Sequence, residues 1–275
     1  MSKIGKAIYE IENLSDTAQK DIWLNNLNPT VKLFVTLLYI SLTVSFPKYD
    51  ILGVLSMALY PLVIFTLGDI SFRTALHRLR FVLPIVAVMG IFNPIFDRET
   101  VATIHGVSIN SGWFSFLTLM IKGILTVFAT YFLIATTTIE KICYSLKKLH
   151  LPQIIVTQIL LMYRYIFVLL AEVKKITLAY ELRAPGQKGV HFKAWGSLVG
   201  NLLIHTFERA QSLYDSMCLR GYTSEFRIQG NVKIRAADII FLLGTSALFV
   251  VFRIFPVFEL VGKLLASVAG KFGGF

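Results

Sequence analysis

Charge is scarce in this chain: 16% of its 275 residues are charged against 55% hydrophobic, and the mean hydropathy is +0.67. A soluble domain of this length cannot bury that much apolar surface, so the composition points to a membrane protein. Cysteine is nearly absent too. Cys143 and Cys218 lie far apart without CxxC spacing, which excludes a disulfide framework and a zinc ribbon. No GxxxxGK[ST] phosphate loop occurs anywhere, so the chain is not an ATPase. His77, His105, His150, His191 and His205 are scattered, with no i,i+4 pair suited to a metal cage. Residues 1–28 are polar and mixed in charge and lack the layout of a cleaved signal peptide, so the first apolar run is expected to act as the targeting signal. The net charge of +11 is read in this setting as topology information, not as a nucleic-acid surface.

What is present is a series of uncharged apolar runs at about 33–46, 51–68, 81–96, 113–138 and 239–258. A helical span needs roughly 20 residues, so the first and third must borrow flanking residues. Pro84, Asn93, Pro94 and Lys122 fall inside these runs and need partners within a bundle. The loop predicted at 69–80 carries Arg73, Arg78 and Arg80, whereas that at 97–112 carries Asp97, Arg98 and Glu99. Basic loops stay cytoplasmic, which places the N-terminus and everything from 139 to 237 inside and the C-terminal tail outside.

Three segments follow: a membrane domain over 1–138, an insertion over 139–237, and a last span with its tail over 238–275. Within the insertion, Ile142, Leu146 and Leu149 against Lys141, Lys147 and Lys148 predict a short amphipathic helix. Pro152 then opens a stretch free of glycine and proline to Arg183, a helix of about 46 Å if continuous. Its first half could pass for a sixth span, but Arg164 near its middle and the inverted final topology argue against that. Pro185 and Gly186 end it. A second long helix is predicted at about 191–220, with Trp195, Leu198, Val199, Leu202, Leu203, Thr206, Ala210, Leu213 and Met217 on one side and Gly221 as its C-terminal cap. Both helices thus end on an arginine followed by a chain break. The helix dipole alone favours such an arginine, but a pair of them also suits carboxylates in a partner's grooves.

The segment "YRYIFVLLAEVKK…ELRAPG…AWGSLVGNLLIHTFERAQSLYDSMCLRGYTSE", together with "LNPTVKLF" at 27–34, resembles the transmembrane T component of energy-coupling factor transporters, and within it the CbiQ-type subunit of cobalt and nickel uptake systems. The resemblance implies an all-α membrane protein with about five transmembrane helices and a cytoplasmic coupling domain of two long amphipathic helices, in the bacterial plasma membrane. It implies partners: a CbiO-like pair of ABC-type ATPase subunits and a CbiM-like substrate-binding membrane subunit, with CbiN as a further candidate. Arginine-centred triplets of the family match Leu182-Arg183-Ala184 and Leu219-Arg220-Gly221 here, and the N-terminal signature matches Asn28, Pro29 and Lys32. Only the second triplet keeps the family's glycine. ATP and magnesium would be used by the ATPase partners, and no cofactor or metal is expected on this chain. A T component serving vitamin uptake, an intramembrane enzyme using Asp97, Glu99, His105 or His150, and a carrier acting alone are the alternatives. No paired carboxylates or internal repeat supports the last two.

Overall fold

The computed structural model describes residues 22–68, 72–96, 100–104, 107–187, 189–222 and 234–254. These fall into two compact units: 22–137 with 234–254, and 138–222.

In the first unit α1 (Pro29–Ser45) starts where it does because Pro29 occupies the first turn and the Asn28 side chain accepts the Thr30 N–H at 3.0 Å. Asp50 caps α2 (Ile51–Met57) through the Gly53 N–H at 2.8 Å, and Ala58 separates it from α3 (Leu59–Leu67). Then come α4 (Phe72–Gly90), α5 (Phe92–Phe96), the 26-residue α6 (Ser111–Thr136) and α10 (Ala236–Ile254). The 69–80 segment is a correction: it is not a loop throughout, because α4 starts at Phe72 and carries Arg73, Arg78 and Arg80 within its turns. A second difference lies in 97–112, where β1 (Thr100–Ile104) pairs antiparallel with β2 (Val107–Asn110). These short runs are rich in β-branched Thr, Val and Ile, whose stiff side chains suit a pleated strand. The protein is otherwise helical among the described residues.

Helix α6 organises this unit. Small residues let its neighbours approach closely: a Cβ on Gly112 would lie 2.3 Å from Pro94 Cα, one on Gly90 2.8 Å from Phe116, and one on Gly123 3.2 Å from Val86. The core is aromatic. Tyr39 meets Tyr60 at 4.8 Å and Phe249 at 5.3 Å between ring centroids, and Phe132 closes on Tyr60 at 6.5 Å.

The second unit holds α7 (Ile139–Lys148), α8 (Gln153–Arg183) and α9 (Phe192–Leu219). Helices α8 and α9 are antiparallel, since Arg164 shares a groove with Ser216 while Glu172 shares one with His205. The apolar stripe expected on α9 is only partly covered: Leu198, Leu202, Thr206, Leu213 and Met217 are half-buried, no α9 residue is fully buried, and Trp195, Val199 and Leu203 are half exposed or more. Helices α6, α8 and α10 are long and apolar enough to cross a membrane, and shorter apolar helices run Pro29–Ser45, Ile51–Leu67 and Leu79–Pro94. The chain is a multi-pass membrane protein.

Candidate functional site

Two sets of residues carry the chemistry visible in the sequence: the arginine-tipped ends of α8 and α9, and the signature at the start of α1.

Helix α9 ends in a glycine-capped turn. Gly221 has φ +77°, its N–H donates to Cys218 O at 2.9 Å, and the Tyr222 N–H donates to Met217 O at 3.0 Å. That pair of bonds is the Schellman arrangement, and it requires the left-handed residue that glycine supplies without strain. Arg220 is the cap residue itself. Helix α8 ends differently. Arg183 is its last helical residue, Ala184 is the cap with φ −126°, and Gly186 turns the chain at φ +92°. The Tyr180 hydroxyl folds this turn back by donating to Gln187 Oε1 at 2.9 Å and accepting the His191 N–H at 3.3 Å. The two arginines therefore sit one position apart relative to their helix ends.

They nevertheless share their surroundings. Leu182 is 75% exposed and Leu219 90% exposed, so each arginine follows a leucine with nothing packed on it. Among the described residues neither guanidinium has an ion-pair or hydrogen-bond partner. Because α8 and α9 are antiparallel, Arg183 lies at the hairpin turn while Arg220 lies at the far end of the 28-residue α9, about 40 Å of helix away.

The N-terminal signature is buried. Lys32 is 1% exposed, and its ammonium donates to Thr136 O at 2.8 Å and Asn25 O at 3.4 Å. The Asn28 N–H donates to Asp238 Oδ1 at 2.7 Å, and Asp238 Oδ2 accepts the Arg235 N–H at 2.7 Å. Asp238 thus works as half of a capping box for α10 while tying that helix to α1. At the opposite end of α1, Lys122 donates to Val44 O at 3.1 Å and Phe46 O at 2.7 Å. Arg253 donates to Ser45 O at 3.3 Å and lies over the Phe46 ring at 4.4 Å. Cations at carbonyls that α1 cannot satisfy internally complement its dipole. These contacts orient α6 antiparallel and α10 parallel to α1. The bonds at Lys32 and Asp238 hold the C-terminal end of α6 and the N-terminal end of α10 to the start of α1.

Sequence reasoning picked out Asn28, Pro29 and Lys32 but missed Asp238, Thr136 and Arg253. An acidic residue three positions into an otherwise apolar helix was the signal for Asp238. No group of three or more His, Cys, Asp or Glu residues that could hold a metal occurs among the described residues. Asp97, Glu99 and His105 lie outside them.

The profile of the CbiQ family, described as cobalt transport protein, matches residues 20–232. The chain is 33% identical over 122 residues to one uncharacterized protein of Methanocaldococcus jannaschii, covering 42% of each chain, and 27% identical over 121 residues to another, covering 44% of this chain and 45% of that one. It is also 31% identical over 116 residues to a putative fused cobalt transport protein CbiMQ of Methanocorpusculum labreanum, covering 41% of this chain and 19% of that one. The chain spans less than half the length of these relatives.

Proposed function

The chain belongs to the CbiQ cobalt transport protein family, and on that premise we propose that it is the membrane coupling subunit of an ATP-driven cobalt importer, itself non-catalytic. The observation that carries this reading is the pair of uncovered Leu-Arg tips, Leu182-Arg183 and Leu219-Arg220, at opposite ends of an antiparallel helix hairpin. An exposed leucine offers an apolar knob and the adjacent guanidinium a planar fork for a carboxylate, so each tip suits a groove of mixed character. Their wide separation suits two sockets, one on each member of a pair of ATPase subunits. ATP and magnesium are used by those subunits; this chain converts their closure into motion of α8 and α9. The second partner is a CbiM-like substrate-binding membrane subunit, for which the fused CbiMQ relative is support. The uncovered apolar side of α9 at Trp195, Val199 and Leu203 fits a hydrophobic partner helix. In this reading the 139–237 segment is cytoplasmic, and nickel or a vitamin is the alternative cargo.

The test is the Arg183→Ala/Arg220→Ala variant, expressed with its ATPase and substrate-binding partners. It is expected in the membrane at normal level, with ATPase co-purification and radiolabelled cobalt uptake lost. Full uptake by this variant overturns the proposal.

A further inference from the structure

Between α3 and α10 of the first unit lies an apolar groove of about 360 Å³. Its floor is already built: Tyr60, Ile64 and Phe252 are buried, and Tyr60 is held by ring contacts with Tyr39 and Phe249, each at 4.8 Å between centroids. Its sides include the exposed Val63 and Leu248. Gly244 leaves the trough open, for nothing lies within 4 Å of where its Cβ would stand. A polar ligand finds little to bind here. Thr245 Oγ1 donates to Phe241 O at 2.7 Å, and the Tyr60 hydroxyl oxygen is buried. The exception stands at one end, where Trp23 packs edge-on against Phe241 and carries an indole N–H.

We propose that this groove holds one acyl chain of a phospholipid, laid along α10 with its ester end at Trp23. Dimensions select that occupant. From Phe241 to Phe252 α10 rises about 16 Å, roughly half of a bilayer's 30 Å hydrocarbon core and so the depth of one leaflet. A helix about 10 Å across would need roughly 1,000 Å³ or more over that length, so a partner helix would bridge the groove and leave it empty. A hydrocarbon chain fills it, and each methylene against Ile64 or Phe252 gains contacts that an empty groove forfeits. The groove is also continuous with the bilayer-facing surface: Ile240 and Val251, four residues before and seven after Gly244 and so on its side of α10, are exposed and apolar. Trp23, with an apolar body and a polar tip, is the residue type that sits at headgroup level. The site does not depend on the coupling role of Arg183 and Arg220.

The test is native mass spectrometry of the purified full chain in detergent with added phospholipid. Dipalmitoyl phosphatidylcholine and dipalmitoyl phosphatidylglycerol are expected to be retained equally, one molecule per chain, because no charged residue lines the groove. Dihexanoyl phosphatidylcholine, too short to reach Phe252, should be retained about ten-fold less or worse. Gly244→Leu, which fills the trough from α10, should lower dipalmitoyl phosphatidylcholine retention about ten-fold. Gly196→Leu, at an equally open glycine of α9, should leave it unchanged. Wild-type retention by Gly244→Leu, equal loss in the Gly196→Leu control, or retention that follows headgroup charge and not chain length overturns the proposal. So does a lipid-free dimer that Gly244→Leu dissociates. Should Gly244→Leu fail to fold, Val63→Phe fills the groove from α3 and carries the test, and unchanged retention there refutes the site.

Discussion

Replacing Asp238 by alanine should destabilise the spanning unit by about 2–4 kcal/mol, a figure that follows from the two bonds its carboxylate accepts at 2.7 Å. The Asn28 N–H is buried, so without Asp238 it loses a charge-assisted bond that water cannot readily replace, a cost of about 1.5–3 kcal/mol. The Arg235 N–H belongs to an exposed residue and can turn to water, which limits its share to about 0.5–1 kcal/mol. Asp238→Asn keeps one acceptor but turns an amide donor towards the other N–H, and should fall between wild type and alanine. The assay is unfolding by sodium dodecyl sulfate followed by the fluorescence of Trp23, which packs edge-on against Phe241 at 6.4 Å, in a background with Trp113 and Trp195 changed to Phe. Asp215→Ala, on the exposed side of α9, is the control. An Asp238→Ala midpoint equal to that of the control refutes the idea that this carboxylate ties α10 to α1.

Glycine positions should separate cleanly. Gly221→Ala places a side chain at φ +77° and should cost about 1–2 kcal/mol, while Gly196→Ala, mid-helix with nothing within 4 Å of its Cβ, should stabilise the isolated chain by about 0.5–1 kcal/mol; thermal melting of the two variants checks both signs. The cysteines should differ in reactivity: exposed Cys218 labels quickly with maleimide, whereas burial, with Glu140 adding to it, holds the Cys143 thiol above its ordinary pKa and slows labelling. By linkage the stability this thiol contributes is present below the ordinary thiol pKa and lost as pH rises through the folded value, so in a Cys218→Ser background Cys143 labelling should climb in alkaline buffer; rapid labelling at pH 7 refutes its burial.

Features governed by a few consecutive residues were legible in the chain before any coordinates. Pro152 and Pro185 bracket α8, and Gly221 stops α9, because backbone sterics act over one turn. Lys122 was marked as needing a partner because charge at membrane depth is costly, and the carbonyls of Val44 and Phe46 supply one. The β1–β2 pair escaped notice because its strands are too short to stand out from neighbouring apolar runs. The uncovered side of α9 escaped for another reason. Apolar periodicity shows that a helix has a face to bury but not whether this chain or another covers it.

By itself, then, the sequence determined membrane residence, the ends of α8 and α9 and the two arginines that lie there, all of which depend on composition or on neighbours within about five residues. Only the tertiary structure decided that Lys32 reaches Thr136 across 104 residues, that Asn28 meets Asp238 across 210, and that Tyr60 and Gly244 line one groove. Such pairings depend on how helices are ordered and turned against each other. That is settled by close approach at Gly90, Gly112 and Gly123 and by the need to satisfy buried polar groups, neither of which leaves a periodic trace along the chain.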